Sequence, residues 1–289
     1  MIPAAFEYTR ASSLTEALDA IGAGAPPTKL ICGGQTLVPI LRFRLAQPHR
    51  LVDIGQLPEL RGVTVTDDVV RIGAATTYRE LLASEPLREA VPLIAEVTEN
   101  IGDLQVRNLG TIGGALAHAD PSADMPAAML ALDARFHLQS ARATRTVAAR
   151  EFFRGPFETA LKADELLVAI ELQPLSDFTG SAYVTFEQAA SGYALVGAAA
   201  VVTVSPARGV TAASLAFTGL ADTPFLADVS SLLGSAGDAQ SVARAAAESV
   251  RGVSANADIH ADAAYRLQIA QVGARRALSS AITRAQQVT

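Results

Sequence analysis

Two glycine-bearing stretches decide how this sequence folds and what it can bind. Residues 105–120 read QVRNLGTIGGALAHAD, and residues 32–36 read CGGQT directly after an apolar pair, Leu30 and Ile31, that predicts a strand. Glycine lets the backbone approach a ligand closely and adopt positive φ. Successive N–H groups in such turns form concavities for anions, typically phosphate. Two such loops, each with a threonine, predict a nucleotide or dinucleotide held from two sides.

The composition fits a globular chain that divides into two or three small domains. Of the 289 residues, 50% are hydrophobic and 18% are charged, and there is no tryptophan, so aliphatic residues must fill the cores. The net charge of −6 argues against nucleic acid as a general partner. The single cysteine excludes an internal disulfide framework and a cysteine-ligated cluster within this chain.

The sequence carries no sign of export or membrane insertion. No apolar run reaches the ~18 residues of a membrane span, which argues against a transmembrane segment. The N-terminal residues lack the basic start and the apolar core of a signal peptide. We therefore expect a cytoplasmic protein.

Local patterns predict short helices and strands up to a candidate domain boundary at residues 173–176. A capping box at Ser13 and Glu16 opens a helix that Gly22 and Gly24 end. A second capping box, at 77–80, opens another helix. Further helices are expected over 36–43, 92–99 and 125–132, and strands over 30–31, 51–54, 69–72, 135–139 and 167–172. The first ~50 residues thus form a small α+β unit, near the lower size limit of a domain.

The remainder of the chain changes character. Strands are expected over 183–186, 196–204 and 212–218, although the alanine-rich residues 196–200 fit a strand or a helix. Helices are expected over 225–233, 239–250 and 262–281. Strands followed by helices favour an α+β domain over an alternating βαβ domain.

The familiar catalytic motifs are missing. Residues 22–27 begin like a dinucleotide-binding turn but follow a helix and lack the final glycine, and no P-loop occurs. The four histidines show no metal-ligand spacing, and no nucleophile elbow accompanies the serines. We therefore expect neither a metal site nor a catalytic set for hydrolysis. A redox cofactor that brings its own chemistry fits this inventory.

The residues of the glycine stretches also have ordinary structural interpretations. Gly33 and Gly34 alone fit a simple turn. Gly113 and Gly114 alone fit a turn or a bulge. Cys32 fits a small packed residue beside the loop, with a reactive thiol as the alternative.

The polar and aromatic candidates nearby are equally open. His118 fits a structural polar residue or a ligand contact. Asp120 and Asp124 fit caps of the following helix, or one of them binds a ribose hydroxyl. Tyr193 fits a core position, or a ring that lies on a flat cofactor.

Four segments, taken in order, carry a resemblance to one known family. Residues 32–39 read CGGQTLVP and residues 101–114 read IGDLQVRNLGTIGG. Residues 117–124 read AHADPSAD and residues 192–196 read GYALV. They resemble the segments AGGQSLLP, IGDxQVRNxGTIGG, AHADPxxD and G/D-Y-A-x-V of the flavin-binding subunit of molybdenum hydroxylases. The medium subunit of carbon monoxide dehydrogenase is the best-known member of that family.

The resemblance implies an α+β fold with three parts. A two-subdomain FAD-binding fold of the vanillyl-alcohol-oxidase (PCMH) type is followed by a C-terminal α+β domain. The expected parts are residues 1–54 and 55–175 for the two FAD-binding subdomains and 176–289 for the C-terminal domain.

The resemblance also implies which residues bind FAD. In the family, the two glycine loops grip the FAD diphosphate, Asp124 matches an acidic contact, and Tyr193 matches a ring near the isoalloxazine. The expected cofactor-binding set is Cys32, Gly33, Gly34, Gln35, Thr36, Leu37, Ile101, Thr111, Gly113, Gly114, Ala117, Asp120, Asp124 and Tyr193. Cys32 and Thr36 replace the usual alanine and serine, and both are small. Residues 189–192 lack the arginine-rich, aspartate-bearing run often found before the tyrosine.

By this resemblance the chain is an electron-transfer flavoprotein subunit. Its expected partners are a [2Fe–2S] iron–sulfur small subunit and a molybdopterin large subunit that hydroxylates the substrate. The expected assembly is a dimer of heterotrimers. Electrons would pass from the iron–sulfur clusters through FAD to an acceptor. Two alternatives remain open at this point: a stand-alone flavin oxidase of the same fold, and a flavin-free scaffold. The intact glycines argue against the scaffold.

Overall fold

A computed structural model describes residues 2–22 and 27–287, and Gly24 lies outside this part. The strands are β1 (Glu7–Arg10), β2 (Thr28–Ile31), β3 (Arg50–Asp53), β4 (Val63–Val65), β5 (Val70–Gly73), β6 (Arg135–Gln139), β7 (Thr144–Ala148), β8 (Phe153–Gly155), β9 (Glu158–Thr159), β10 (Leu166–Leu172), β11 (Thr179–Glu187), β12 (Ala194–Ser205), β13 (Gly209–Thr218) and β14 (Phe225–Leu226). The helices are α1 (Leu14–Ile21), α2 (Leu37–Arg42), α3 (Tyr78–Ala83), α4 (Glu85–Ala90), α5 (Pro92–Asn100), α6 (Leu104–Leu109), α7 (Ile112–His118), α8 (Met125–Ala131), α9 (Ala149–Phe152), α10 (Ala239–Glu248) and α11 (Ala263–Gln287).

The first sheet is parallel, with the strand order β1-β3-β2. Helix α1 connects β1 to β2 and begins at Ser13, whose hydroxyl accepts the Glu16 N–H. The Glu16 carboxylate accepts the N–H and hydroxyl of Ser12 at 2.7 Å, so the capping box predicted at Ser13 forms only in part. Ile31 pairs with Asp53 at the carboxyl ends of β2 and β3. The first glycine stretch therefore leaves the sheet at the edge where parallel strands commonly present ligand sites.

The second sheet is antiparallel, with the order β4-β5-β10-β6-β7. Helices α3, α5, α7 and α8 bury their apolar faces in one core with it. The capping box predicted at Thr77 and Glu80 opens α3 with both reciprocal hydrogen bonds in place. Three fully buried side chains of the sheet, Ile72, Phe136 and Ile170, anchor this core. Helix α7, which carries the second glycine stretch, is thereby fixed on the sheet.

The third sheet is an antiparallel meander, β11-β12-β13-β14, with the long helix α11 packed on β11 and β12. Its ambiguous alanine-rich segment is part of β12. Ala198 and Ala200 face the core shared with α10 and α11, whereas Ala199 faces the core shared with α8. Small side chains suit this strand because both of its faces are covered. The sheet thus joins the C-terminal helices to the segment that follows α7.

Most expected elements are confirmed, including every predicted strand, and the α+β class is correct. The helix predicted over 225–233 is wrong: these residues form strand β14 and a 3₁₀ turn, Ser230–Leu232. Phe225 pairs with Phe217 of β13, and their rings pack at 5.7 Å, so pairing at the sheet edge overrides the helical pattern. The division after residues 54 and 175 stays a prediction. Within the described ranges, no helix is long and apolar enough to cross a bilayer.

Candidate functional site

The first glycine stretch offers a row of unpaired backbone donors. It turns at Gly34, whose φ is +71°, and runs into α2. Across residues 2–22 and 27–287, no acceptor is hydrogen-bonded to the N–H groups of Gly34, Gln35, Thr36 and Leu37. The next N–H, of Val38, already donates to Gly34 O at 2.9 Å. Four consecutive free donors at the start of a helix form a concavity suited to an anion such as phosphate.

The second stretch is built differently from what the sequence predicts. Its N–H groups are taken by the segment between β5 and α3: Ile112 donates to Thr76 O at 3.1 Å and Gly113 to Ala74 O at 2.9 Å. The Gly114 N–H donates to the hydroxyl of Thr111, which caps α7. Gly113 and Gly114 therefore lie in the first turn of a helix, with their N–H groups bonded within the chain. Contact of this stretch with the FAD diphosphate stays a prediction, and the row of four unpaired donors belongs to the first stretch.

The two glycines of α7 have separate structural reasons. Gly113 is buried, and a Cβ there would lie 2.4 Å from the Cβ of Ala74 and 2.6 Å from its carbonyl oxygen. Close packing of α7 on the segment after β5 therefore requires this glycine. Gly114 is exposed, as is Ala117 one turn further along. Together Gly114 and Ala117 give α7 a smooth outer face that a ligand can approach.

The two stretches meet directly. A Cβ on Gly33 would lie 2.1 Å from Leu109 O, so the first stretch rests against the backbone that leads into the second. Beside this contact the Thr111 hydroxyl faces the Cys32 thiol. Burial raises the pKa of that thiol, and the facing hydroxyl opposes the rise. A thiol kept protonated in this way supports the interpretation of Cys32 as a packed residue rather than a reactive one. The Gln35 side chain folds back to donate to Gly33 O at 3.4 Å.

The segment after α7 places two carboxyl groups beside the stretches. Asp120 accepts the Ser122 N–H at 2.9 Å and holds the local turn. Asp124 begins α8, but its side chain makes no capping bond and instead accepts the Tyr183 hydroxyl at 2.5 Å. Asp124 is only 7% exposed, and burial raises its pKa to about 7, although the Tyr183 hydroxyl favours the charged form. The helix-capping interpretation of Asp124 is therefore wrong.

Tyr193 brings the third sheet to the same place. Tyr193 is 44% exposed, so it is no core residue. Burial raises the pKa of its hydroxyl, the charges of Asp120 and Asp124 raise it further, and the nearby Thr36 hydroxyl lowers it. The N–H of the next residue, Ala194, donates to Ser122 O at 3.3 Å. Tyr193 therefore stands between the first stretch and the two carboxyl groups, with part of its ring open.

Two other predicted residues lie at the margin. The His118 ring packs on Phe157 with centroids 5.0 Å apart. Burial lowers the His118 pKa, Asp120 opposes this, and the charge of Lys29 lowers it further. Ile101 ends α5, and its carbonyl oxygen accepts the Arg107 guanidinium at 2.9 Å. No described contact joins Ile101 to the other predicted site residues, so its role stays a prediction.

Tyr183 is the site residue that sequence reasoning missed. It lies on β11, in a segment expected only to be a strand, and its hydroxyl reaches a carboxylate 59 positions away in the chain. The available sequence signal was a tyrosine that directly follows three small strand residues, Gly180, Ser181 and Ala182. Across the described ranges, no group of three or more histidine, cysteine or acidic side chains is arranged to hold a metal ion.

We call the surroundings of residues 34–37, Gly114, Ala117, Asp124 and Tyr193 the cleft. Its groups suit an elongated ligand with an anionic centre and a flat ring. The N–H row of residues 34–37 meets the anion, and the outer face of α7 leaves room along the ligand. The buried Asp124 can accept a hydroxyl, and the open part of the Tyr193 ring can stack on a π-face. These features fit a dinucleotide, and they fit FAD.

Comparison with known proteins agrees with this geometry. The family model described as "FAD binding domain in molybdopterin dehydrogenase" matches residues 4–174, and "CO dehydrogenase flavoprotein C-terminal domain" matches residues 181–281. The carbon monoxide dehydrogenase medium chain of Hydrogenophaga pseudoflava is 36% identical, over 98% of this chain and 99% of the relative. The 6-hydroxypseudooxynicotine dehydrogenase complex subunit alpha of Paenarthrobacter nicotinovorans is 33% identical, over 99% and 97% respectively.

Solved structures share the fold over the full length. Carbon monoxide dehydrogenase from Hydrogenophaga pseudoflava, in a form that lacks the Mo-pyranopterin moiety, superposes with a TM-score of 0.94 and 37% identity, over 98% of this chain and 99% of the other. Quinoline 2-oxidoreductase from Pseudomonas putida 86 gives 0.92 and 31%, over 99% of each chain. These relatives support a subunit of an oxidoreductase and not the stand-alone oxidase. The chain belongs to the family of FAD-binding medium subunits of the xanthine dehydrogenase and carbon monoxide dehydrogenase type.

Proposed function

We propose that the cleft binds FAD with its diphosphate on the N–H row of residues 34–37 and its isoalloxazine beside Tyr193. The observation that carries this proposal is the set of four consecutive N–H groups, Gly34 to Leu37, with no acceptor in the described parts of the chain. A row of this kind binds a phosphate oxygen with charge-assisted hydrogen bonds. Bound FAD supplies reversible one- and two-electron redox chemistry.

The remaining residues of the cleft orient the cofactor. Gly114 and Ala117 are small and exposed, so no bulky side chain blocks FAD from the outer face of α7. Gly33 allows the two stretches to stay in contact. Asp124 contributes a carboxyl group near Tyr193 that can accept a hydroxyl of the sugar or ribityl part, while the Tyr183 hydroxyl holds it in place. The Tyr193 ring stacks on the isoalloxazine and does not interact with the charge of the diphosphate.

The chain passes electrons and does not itself oxidise a substrate. It has one cysteine, so an iron–sulfur cluster with four cysteine ligands must lie on another subunit. Relatives carry names such as medium chain or FAD-binding subunit. We infer an assembly with a [2Fe–2S] small subunit and a molybdopterin large subunit, as a dimer of heterotrimers in the cytoplasm. Electrons pass from the iron–sulfur clusters through FAD to an external acceptor.

The substrate is selected by another subunit. Relatives of similar identity are named for carbon monoxide, nicotine and caffeine, which share no common recognition chemistry. A chain that stays this similar across such different substrates performs the step that those enzymes have in common. Electron transfer through FAD is that step.

Ligand truncation tests the diphosphate assignment. Apoprotein is titrated with FAD and with riboflavin, which has the same ring and no phosphate, and binding is followed by flavin fluorescence. Two charge-assisted hydrogen bonds from the N–H row make FAD bind about 100-fold more tightly than riboflavin, or more. ADP, which keeps the diphosphate, competes with FAD. Equal affinity for FAD and riboflavin would contradict the assignment.

A pair of glycine variants locates the effect. Gly34→Val replaces a residue with φ +71° in the row, and Gly252→Val replaces one with φ +74° in the turn after α10. Both substitutions impose the same backbone strain, but only Gly34→Val lowers FAD affinity.

Native mass spectrometry of the complex purified from its source tests the assembly. Masses that correspond to two copies of each of three subunits are expected, and an isolated chain with substrate turnover would contradict the subunit role.

A further inference from the structure

A buried arginine of the C-terminal helix is tied to the Tyr193 segment without lying in the cleft. Arg266 of α11 is 3% exposed, and its Nε has no hydrogen-bond partner within the described residues. Its guanidinium donates to Leu195 O at 2.5 Å, to Gly219 O at 3.0 Å and to Asp258 Oδ2 at 2.6 Å. This ion pair joins a buried guanidinium to a carboxylate that is 45% exposed, and such partly exposed pairs contribute little net stability. Its main effect therefore lies in what it positions.

The first connection is direct. Leu195 follows Tyr193 by two residues on β12, and its carbonyl oxygen is held by the Arg266 guanidinium. Gly219 is forced to be glycine at this point, because its φ is +75° and a Cβ would lie 2.6 Å from Leu195 O. Arg266 thus holds Leu195 and Gly219 together at the start of β12, directly after Tyr193.

The second connection reaches Tyr193 from its other side. Asp258, the carboxylate partner of Arg266, accepts the His260 N–H at 2.8 Å. The His260 ring lies 3.4 Å from Gln188 Nε2, and the Gln188 N–H donates to Tyr193 O at 2.8 Å. Arg266 is therefore linked to the backbone before and after Tyr193 in the chain.

The third connection reaches the carboxyl segment. The Gly219 N–H donates to Pro121 O at 2.8 Å, and the Thr218 hydroxyl donates to Pro121 O and Ala123 O at 2.9 and 2.7 Å. These carbonyl groups lie between Asp120 and Asp124. The same guanidinium that holds Tyr193 thus also sets the turn that bears the two carboxyl groups of the cleft.

We propose that Arg266 is a positioning residue that fixes the Tyr193 ring against the flavin while touching neither FAD nor any reacting atom. The proposal rests on the proposed function for its flavin readout. Arg266→Lys keeps the charge but loses the forked geometry that reaches two carbonyl groups and a carboxylate together. Asp258→Asn, at a side chain that is 45% exposed, weakens the same connection without removing a buried group.

The first test is made without FAD. Amide hydrogen exchange of the full apoprotein is measured by mass spectrometry for the wild type, Arg266→Lys and Asp258→Asn. Faster exchange confined to residues 188–195 and 219–221 is expected for both variants. Arg284→Lys is the control, because Arg284 lies on the same helix and also donates to a carbonyl, Ser181 O, and to a carboxylate, Glu96. Unchanged exchange at 188–195 in Arg266→Lys, or an equal rise in Arg284→Lys, would overturn the proposal.

The second test is a double-mutant cycle on FAD affinity and flavin fluorescence. An aromatic stacking contact changes FAD affinity about two- to tenfold, and Tyr193→Ala is expected to lower FAD affinity by this factor. Arg266→Lys is expected to lose part of that factor and to change the fluorescence in the wild-type background. In the Tyr193→Ala background it has no further effect. An equal loss in both backgrounds would refute an action through Tyr193. Failure of the wild type to bind FAD would contradict the proposed function, and the exchange test would still decide the role of Arg266.

Discussion

Asp124→Asn has a pH-dependent consequence that can be worked out from the structure. The carboxyl group is buried, and its pKa in the folded chain is raised from 3.8 to about 7 by that burial. The unfolded chain releases the proton near pH 4, so between about pH 4 and pH 7 the folded chain binds more protons than the unfolded one. The free energy of unfolding therefore falls as the pH rises through this window. Asparagine carries no titratable proton and removes this dependence.

The size of the effect follows from the two pKa values. A change from 3.8 to about 7 corresponds to an about 4 kcal/mol cost of carrying the charge in the folded apoprotein above pH 7. Between pH 5 and pH 8 the same relation gives a loss of about 2.5 kcal/mol in the wild type. Tyr183→Phe removes the donor that favours the charged carboxylate, so the pH-dependent loss becomes larger in that variant.

Urea unfolding of the apoprotein at pH 5 and pH 8, followed by circular dichroism, measures this prediction. From pH 5 to pH 8, the free energy of unfolding of Asp124→Asn is expected to rise by about 2.5 kcal/mol relative to that of the wild type. Asp222→Asn, which replaces an exposed carboxyl group, is the control and shows no comparable gain. If the difference in free energy of unfolding between Asp124→Asn and the wild type is the same at pH 5 and pH 8, the reasoning about the buried Asp124 carboxyl group is refuted.

Three further substitutions separate packing from cofactor binding. Gly113→Val forces a Cβ to within 2.4 Å of Ala74 and is expected to cost about 3 kcal/mol or more, seen as a lower urea midpoint and poor soluble yield. Gly34→Val costs about 1–2 kcal/mol for positive φ but folds, and the purified protein contains less than a tenth of the wild-type FAD by absorbance. Tyr193→Ala retains most FAD, and its flavin fluorescence and reduction potential change; unchanged values would remove Tyr193 from the site.

The sequence predicts those parts of the fold whose signals are local. The capping box at Thr77 and Glu80 and the apolar runs of β3, β5, β6 and β10 need no knowledge of distant residues. Strand β1 escapes detection because all four of its residues are exposed, so no alternation marks it. The helical interpretation of residues 225–233 fails because the pairing partner, Phe217, decides the conformation from outside the segment.

In the site, too, local sequence signals could be predicted, whereas contacts between distant residues could not. The resemblance identifies the glycine stretches, and the structure then shows that they differ in hydrogen bonding and packing. The reason for Gly113 is the backbone of Ala74, which no spacing within the second stretch can reveal. The partner of Asp124 is Tyr183, and the clamp on Tyr193 is Arg266, each more than 50 positions away in the chain. Contacts of this kind exist only once the three sheets are assembled.

The position of the cofactor can be measured by a crystal structure of the chain reconstituted with FAD. The diphosphate oxygen atoms are expected within hydrogen-bonding distance of the N–H groups of Gly34 to Leu37, with the isoalloxazine against the Tyr193 ring. The N–H groups of Ile112 and Gly113 stay bonded to Thr76 O and Ala74 O. A diphosphate bound at the start of α7 instead, or an isoalloxazine remote from Tyr193, would contradict the proposed binding mode.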